Sequence, residues 1–151
     1  MVELKSDETV RADYEQDLAL WYERQITLLR ERRFDQIDVE NLIEELRAAM
    51  IKERRELASR LRVLLMHLLK CQFQHHRISG RWLGTLAEQR GEIESLLEGS
   101  PSLRATVMQV AEKAYPVAVR LAAYETRLPA SVFPASNPYS KEQLFDFDFV
   151  P

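Results

Sequence analysis

A stretch without glycine or proline runs from Val39 to Ile78. Large apolar residues recur in it at three- and four-residue steps, the period with which one face of an α-helix repeats. These positions are Val39, Leu42, Ile43, Leu46, Met50, Leu57, Leu61, Leu64, Leu65 and Leu68. A continuous helix of this length would reach about 60 Å. The pattern therefore predicts a long central helix on which other helices pack.

Apolar residues at helical spacing predict three further helices. The first covers about residues 13–32, the second runs from Trp82 to Leu97, and the third runs from Leu103 to Leu121. Asp38 is predicted to cap the long helix, because its carboxylate can accept hydrogen bonds from the free amides of the first turn. We expect an all-α helical bundle built on the long central helix.

The last part of the chain is irregular. Three prolines interrupt residues 127–140, and Phe145, Phe147 and Phe149 then alternate with aspartates. In an extended chain the three rings would share one side, and leaving them exposed would create an apolar liability. We expect this proline-rich tail to pack on the bundle as a lid over the core. The competing interpretation is that it inserts into a partner or a second copy.

Composition narrows the class of protein. Hydrophobic residues make up 46% and charged residues 30% of the 151 residues, which is typical of a globular chain. We expect a flexible lead-in over residues 1–12 and a single helical domain over residues 13–151. No apolar run reaches the roughly 20 residues that span a bilayer, and one cysteine suits a reducing compartment. These features predict a cytoplasmic protein with no membrane partner.

Six segments, in this order along the chain, resemble one bacterial family. They are "WYERQITLLRERRFDQIDVENLIEEL", "RLRVLLMHLLK", "SGRWLGTLAEQRGEI", "SPSL", "AAYETRLP" and "LFDFDFVP". The ordered set resembles the family called domain of unknown function 29, from about Asp13 to Pro151. The resemblance implies an all-helical single domain of bacterial origin with no assigned activity, so no catalytic residue is carried over.

The same match places ten polar residues on family motifs. They are Asp38, Glu40, Asn41, Glu44, Glu45, Glu53, His67, Gln89, Arg90 and Glu125. Cys71, His75 and His76 depart from the family pattern. The resemblance therefore implies no shared metal site built on those three residues.

All three histidines and the single cysteine lie close together in the second half of the long stretch. His67 and His75 are eight residues apart, about 12 Å along a helix, whereas zinc holds its ligands at about 2.0–2.3 Å. One ion cannot take both from an unbroken helix, so we predict neither a metal nor another cofactor. The weak candidate ligands are His67, Cys71, Glu44 and Glu53. A metal-dependent hydrolase around Glu44, Glu53 and His67 stays open as an alternative.

Positive charge is concentrated in the middle of the chain. Residues 47–90 contain ten lysines or arginines and three glutamates, a net charge of +7, whereas the remaining residues carry −10. Such segregation could create a phosphate-binding face. The candidate phosphate-facing residues are Arg54, Arg55, Arg62 and Arg81. The competing interpretation is that the acidic first helix lies against this segment and neutralises it, which the overall charge of −3 favours.

Glu53 and Arg90 are the candidate structural polar residues. Glu53 falls on the inward line of the long helix between Met50 and Leu57, where an unpaired carboxylate would be costly. We predict that an arginine neutralises it, with Arg90 of the "EQR" segment as the candidate.

The sequence favours a non-catalytic interaction or scaffold domain with a protein partner or a second copy of itself. The first alternative is a nucleic-acid-associated protein that uses the basic residues 47–90. The second is the hydrolase described above.

Overall fold

The computed structural model describes residues 13–151, which are mostly α-helical. Residues 13–16 are helical, and the longer helices are α1 (Leu18–Arg30), α2 (Val39–Phe73), α3 (Gly80–Gly99), α4 (Val107–Thr126) and the short α5 (Lys141–Phe145). Short 3₁₀ helices occupy Phe34–Gln36, His75–Arg77, Pro101–Thr106 and Ala130–Val132. No β-strand occurs between residues 13 and 151. The predicted all-α class is confirmed.

Helix α2 is the long helix that the sequence predicted, and it runs unbroken from Val39 to Phe73. It ends before the predicted Ile78 because Gln74 leaves the helical conformation, with φ −133° and ψ 53°, and the 3₁₀ turn His75–Arg77 follows. Asp38 Oδ1 accepts a hydrogen bond from the amide of Asn41 at 3.4 Å, so the predicted N-cap is confirmed.

The chain divides into two compact units, Met1–Ile51 and Lys52–Pro151, and α2 contributes to both. The single domain expected over residues 13–151 stays a prediction. The flexible lead-in expected over residues 1–12 lies outside the described residues. Each unit is described below by itself.

The first unit is an antiparallel helical hairpin of α1 and the start of α2. Trp21 is fully buried, and its Nε1 donates to Asp38 Oδ2 at 3.0 Å. The side-chain oxygen of Gln25 accepts from the amide of Asp38 at 2.9 Å, and the hydroxyl of Tyr14 donates to Glu45 at 2.8 Å. The hydroxyl of Tyr22 on α1 also donates to Glu45 on α2, so polar contacts join the two arms of the hairpin.

The turn of this hairpin begins at a Schellman motif. The amides of Arg32 and Arg33 bond the carbonyls of Leu29 and Leu28 at 3.1 and 2.9 Å, and Arg32 has φ 58°. This arrangement satisfies carbonyls that the end of α1 would leave free and directs the chain back toward α2.

The predicted inward stripe is wrong for the first part of α2. Val39, Ile43, Leu46 and Met50 are all exposed. The inward positions of the hairpin are instead taken by polar side chains, including Asp38, that hydrogen-bond to α1. Because these four apolar residues lie outside the row of hydrogen-bonded contacts between the helices, they face solvent.

The second unit has a large apolar core. Its fully buried leucines on α2 begin at Leu57, and they pack with residues of α3, α4 and the tail. The inward face of α4 includes the fully buried Ala111, Ala118 and Ala122. Since alanine carries only a methyl group, these positions let the neighbouring helices approach closely.

The tail is packed on the bundle, as the sequence predicted. A capping box joins Ser140 and Gln143 at the start of α5, and Leu144 is fully buried. Phe149 lies edge-to-face with Tyr139, with ring centroids 6.1 Å apart. The three rings do not share one environment, because Phe147 is 56% exposed whereas the other two are half-buried. The chain near it is a helix end followed by a turn and is not an extended strand.

The predicted ion pair between Glu53 and Arg90 is also wrong. Arg90 is 1% exposed, and its Nε and Nη2 donate to the carbonyls of Leu144 and Gln143 at 3.0 and 2.9 Å. Glu53 is exposed and accepts from the hydroxyl of Ser100 at 3.2 Å. Arg90 therefore holds the tail through backbone carbonyls near the end of α5, which a short helix leaves without internal donors. Burial lowers the pKa of Arg90.

Candidate interaction groove

Helices α2 and α4 of the second unit form the two sides of a surface groove with a volume of about 470 Å³. Its lining residues recur at three- and four-residue steps on each helix, so each set lies on one helical face. They are Arg54, Arg55, Ala58, Ser59, Arg62, Val110, Lys113, Ala114 and Val117.

The floor of the groove is apolar and built from small side chains. Ala58 lies on α2, and Val110, Ala114 and Val117 lie on α4, all of them half-buried. Because these side chains are short, they leave a depression between the helices that a side chain of another molecule can enter. An apolar depression of this kind is suited to leucine-like anchors.

Four cationic side chains surround this floor: Arg54, Arg55, Arg62 and Lys113. None of the four takes part in an ion pair identified among residues 13–151. The neighbouring Arg60 differs, since it pairs with Glu56 at 2.8 Å. Within the part of the chain that the structure describes, no acidic residue lines the groove. The groove is thus a concentration of positive charge that favours a negatively charged ligand.

The structure brings together three of the four arginines that the sequence proposed as phosphate-facing. Arg54, Arg55 and Arg62 line the groove, whereas Arg81 lies in the first turn of α3 and is not part of it. Lys113 was missed because it lies outside the basic segment 47–90. Its only sequence signal is its place on the same helical face as Val110 and Val117, and that face is recognisable only once α2 and α4 are paired.

Three of the candidate metal ligands have other hydrogen-bond or ion-pair partners, with Glu53 bonded to Ser100, and the fourth is enclosed in the core. Nδ1 of His67 lies 3.0 Å from the carbonyl of Val63, and burial lowers the pKa of this histidine. Cys71 is fully buried, and burial raises the pKa of its thiol. Glu44 pairs with Arg47 at 3.0 Å. Within the described part of the chain, no group of three or more His, Cys, Asp or Glu residues is placed to hold a metal ion.

A buried lysine connects three helices of the second unit. Lys70 on α2 is 6% exposed and donates to the carboxylate of Glu125 on α4. Its ammonium also lies 4.4 Å from the ring centroid of Trp82 on α3, a cation–π distance. Charge pairing and aromatic contact together allow this lysine to be buried. Sequence reasoning missed this cluster, because its members are far apart along the chain.

The fold and the groove define an all-α protein with a cationic surface groove and no metal cluster among residues 13–151. The chain belongs to the family described as Domain of unknown function DUF29, whose family model matches residues 14–150. This membership confirms the family resemblance. No curated protein and no solved structure matches the chain. Among the residues that the structure describes, no helix combines the length and apolar character needed to cross a membrane.

Proposed function

We propose that this chain is a non-catalytic interaction domain that uses the groove to bind an acidic, amphipathic helix of a protein partner. The observation that carries the proposal is the combination in one groove of an apolar floor and four cations that form no ion pair with the described residues 13–151. A helix seated between two helices would place its apolar side chains on the floor. Its carboxylates would then face the four cations on the rim.

The bacterial cytoplasm is the proposed location. It is supported by the single cysteine, which suits a reducing compartment, and by membership of a family that we identify as bacterial. Cell fractionation of the source organism tests this part of the proposal, with recovery in the cytoplasmic fraction as the expected outcome.

Nucleic acid is the second candidate ligand. The observation in its favour is the net charge of +7 on residues 47–90, three of whose arginines line the groove. A phosphate backbone would satisfy the cations but would leave Val110, Ala114 and Val117 without an apolar partner. The chain as a whole carries a net charge of −3, which opposes non-specific attraction to nucleic acid. We therefore favour the protein helix.

The test uses a fluorescent helical peptide with leucines along one face and glutamates elsewhere, with binding followed by anisotropy. We expect saturable binding by the full chain and none by the matching peptide with lysines in place of glutamates. The double variant Arg54→Glu with Arg55→Glu should weaken binding about tenfold or more, because two favourable charge contacts become repulsive.

The matched control is the double variant Arg77→Glu with Arg81→Glu. It changes the net charge by the same amount at two exposed positions of the second unit that do not line the groove. The proposal predicts binding close to wild type for this control. Equal losses in both double variants, or no saturable binding below about 1 mM, would contradict it. Tighter, strongly salt-dependent binding of duplex DNA or RNA would favour the second candidate instead.

A further inference from the structure

The hairpin of the first unit carries an apolar face that the described residues do not cover. On α2 this face is formed by Val39, Ile43, Leu46 and Met50, which are 52%, 40%, 64% and 48% exposed. Their spacing of four, three and four residues is that of the a and d positions of a coiled coil. Such a seam in a coiled coil packs against the corresponding seam of another helix.

Helix α1 extends the face on the same side of the hairpin. Its exposed Tyr22 and Ile26 directly follow the buried Trp21 and Gln25. On α2, Val39, Ile43 and Leu46 likewise follow residues that are buried or half-buried. In a right-handed helix each residue is rotated in the same sense from the one before it. Because α1 and α2 run in opposite directions, the residues that directly follow the inward-facing positions lie on the same side of the hairpin in both helices.

The size of this face fits a protein interface. With Leu18 and Leu29 of α1 included, eight large apolar residues lie on this face, each 38–64% exposed, which amounts to roughly 700 Å² of accessible surface. The largest apolar patch on a typical monomer is about 300–600 Å², and a standard interface buries about 800 Å² on each partner. A face of this size is therefore large enough to support a stable dimer.

We propose that a second copy of this chain covers the face, with the two α2 helices antiparallel about a two-fold axis. The spacing of four, three and four residues reads the same in both directions. Antiparallel pairing therefore sets Val39 against Met50 of the second copy and Ile43 against Leu46 of the second copy. Each apolar residue of the seam meets another apolar residue, as an interface between identical surfaces requires.

The flanking charges match this arrangement. Glu40 and Arg47 occupy the e positions beside the seam, and e positions face each other across an antiparallel pair. Glu40 of each copy would therefore meet Arg47 of the second copy, an opposite-charge contact that occurs twice. Arg47 now pairs with Glu44, and both side chains are more than half exposed. Such a surface pair contributes little and can be exchanged.

The first test is sedimentation equilibrium of the full chain and of two glutamate variants. We expect the wild-type chain to be a dimer and Leu46→Glu to raise its dissociation constant about 100-fold or more, because a charge would be buried in the seam. Leu20→Glu is the matched control, since Leu20 is also exposed on the hairpin but lies off the face. It should remain dimeric. A monomeric wild-type chain, or a dimer that Leu46→Glu leaves intact, would overturn the proposal.

The second test reverses charges at the edge of the seam and does not disturb its apolar residues. Arg47→Glu should weaken the dimer about threefold to tenfold, because Glu40 would then face a glutamate of the second copy. Adding Glu40→Arg to the same chain should restore the wild-type dissociation constant. Circular dichroism establishes that each variant is folded. Failure of the double variant to recover association would show that these residues do not meet across the two-fold axis.

Discussion

The two parts of helix α2 share one apolar periodicity, yet they meet different surroundings. From Leu57 onward the repeating leucines are fully buried in the core of the second unit. Before Ile51 the repeating residues are exposed except for the half-buried Leu42, and among residues 13–51 Trp21 is the buried apolar side chain. Periodicity therefore identifies a helix face, whereas the neighbouring elements decide whether that face is a core or a surface.

Different interactions stabilise the two units as a consequence. The first unit relies on hydrogen bonds to Asp38, the N-cap of α2, which accepts from the Trp21 ring and donates its amide to Gln25, and on the bond that Tyr14 donates to Glu45. The second unit relies on apolar burial by α2, α3, α4 and the tail. The predictions below separate these two modes of stabilisation.

The largest effect should come from shortening a leucine in the second half of α2. Leu61→Ala should lower the free energy of unfolding by about 2–5 kcal/mol, because it leaves a cavity in a close-packed core. Leu46→Ala should change it by less than about 0.5 kcal/mol in the dissociated chain. Chemical denaturation at low protein concentration measures both. Equal losses of unfolding free energy in the two variants would show that the two halves of α2 do not differ in burial.

Removal of the buried guanidinium should release the tail. Arg90→Met should lower the free energy of unfolding by about 1–3 kcal/mol. The carbonyls of Gln143 and Leu144, which are wholly or partly buried, would lose their hydrogen-bond donors. Arg77→Met, at an exposed position, is the matched control and should leave the free energy of unfolding nearly unchanged. Hydrogen exchange should show faster exchange in α5 for Arg90→Met only. Unchanged exchange there would mean that Arg90 does not hold the tail.

The Arg90 contact also illustrates what a sequence can and cannot predict. Local signals predicted the helices and the cap at Asp38, because each depends on residues close together along the chain, and the three phenylalanines of the tail indicated that it packs. The partner of Arg90 lies in a segment more than 50 residues away, and the charge pattern suggested Glu53 instead. In the same way, Arg54, Arg55 and Arg62 stood out as a basic run, whereas Lys113 joins them only through the pairing of α2 with α4.

In the first unit, the hydrogen bonds between α1 and the start of α2 should account for stability. Asp38→Ala should lower the free energy of unfolding by about 1–2 kcal/mol, because α2 loses its cap and Trp21 Nε1 loses its acceptor. Asp35→Ala is the control, since Asp35 lies in the same turn and is exposed. The change should appear in denaturation curves and in faster hydrogen exchange at the start of α2. An equal loss of unfolding free energy in Asp35→Ala would mean that removing a negative charge from this turn, and not the Asp38 hydrogen bonds, causes the effect.

The smallest expected effect is a pH dependence from the second unit. Burial lowers the pKa of His67 below its ordinary value, with the nearby Lys70 lowering it further and the Val63 hydrogen bond opposing this. The unfolded chain therefore binds a proton more readily than the folded chain, so stability falls as the pH drops through about 6.5. His67→Asn should reduce the difference in unfolding free energy between pH 7.5 and 5.5. An identical difference in both proteins would exclude this histidine as the cause.

Methionine oxidation tests the contrast along α2 most directly, because the helix carries one methionine in each half. Met50 is 48% exposed and Met66 is 7% exposed. Peroxide oxidation followed by mass spectrometry should give much faster modification of Met50 than of Met66 at low protein concentration. At high concentration Met50 should become protected as the second copy covers it. Equal rates for the two methionines at low concentration would contradict the account of an exposed first half and a buried second half.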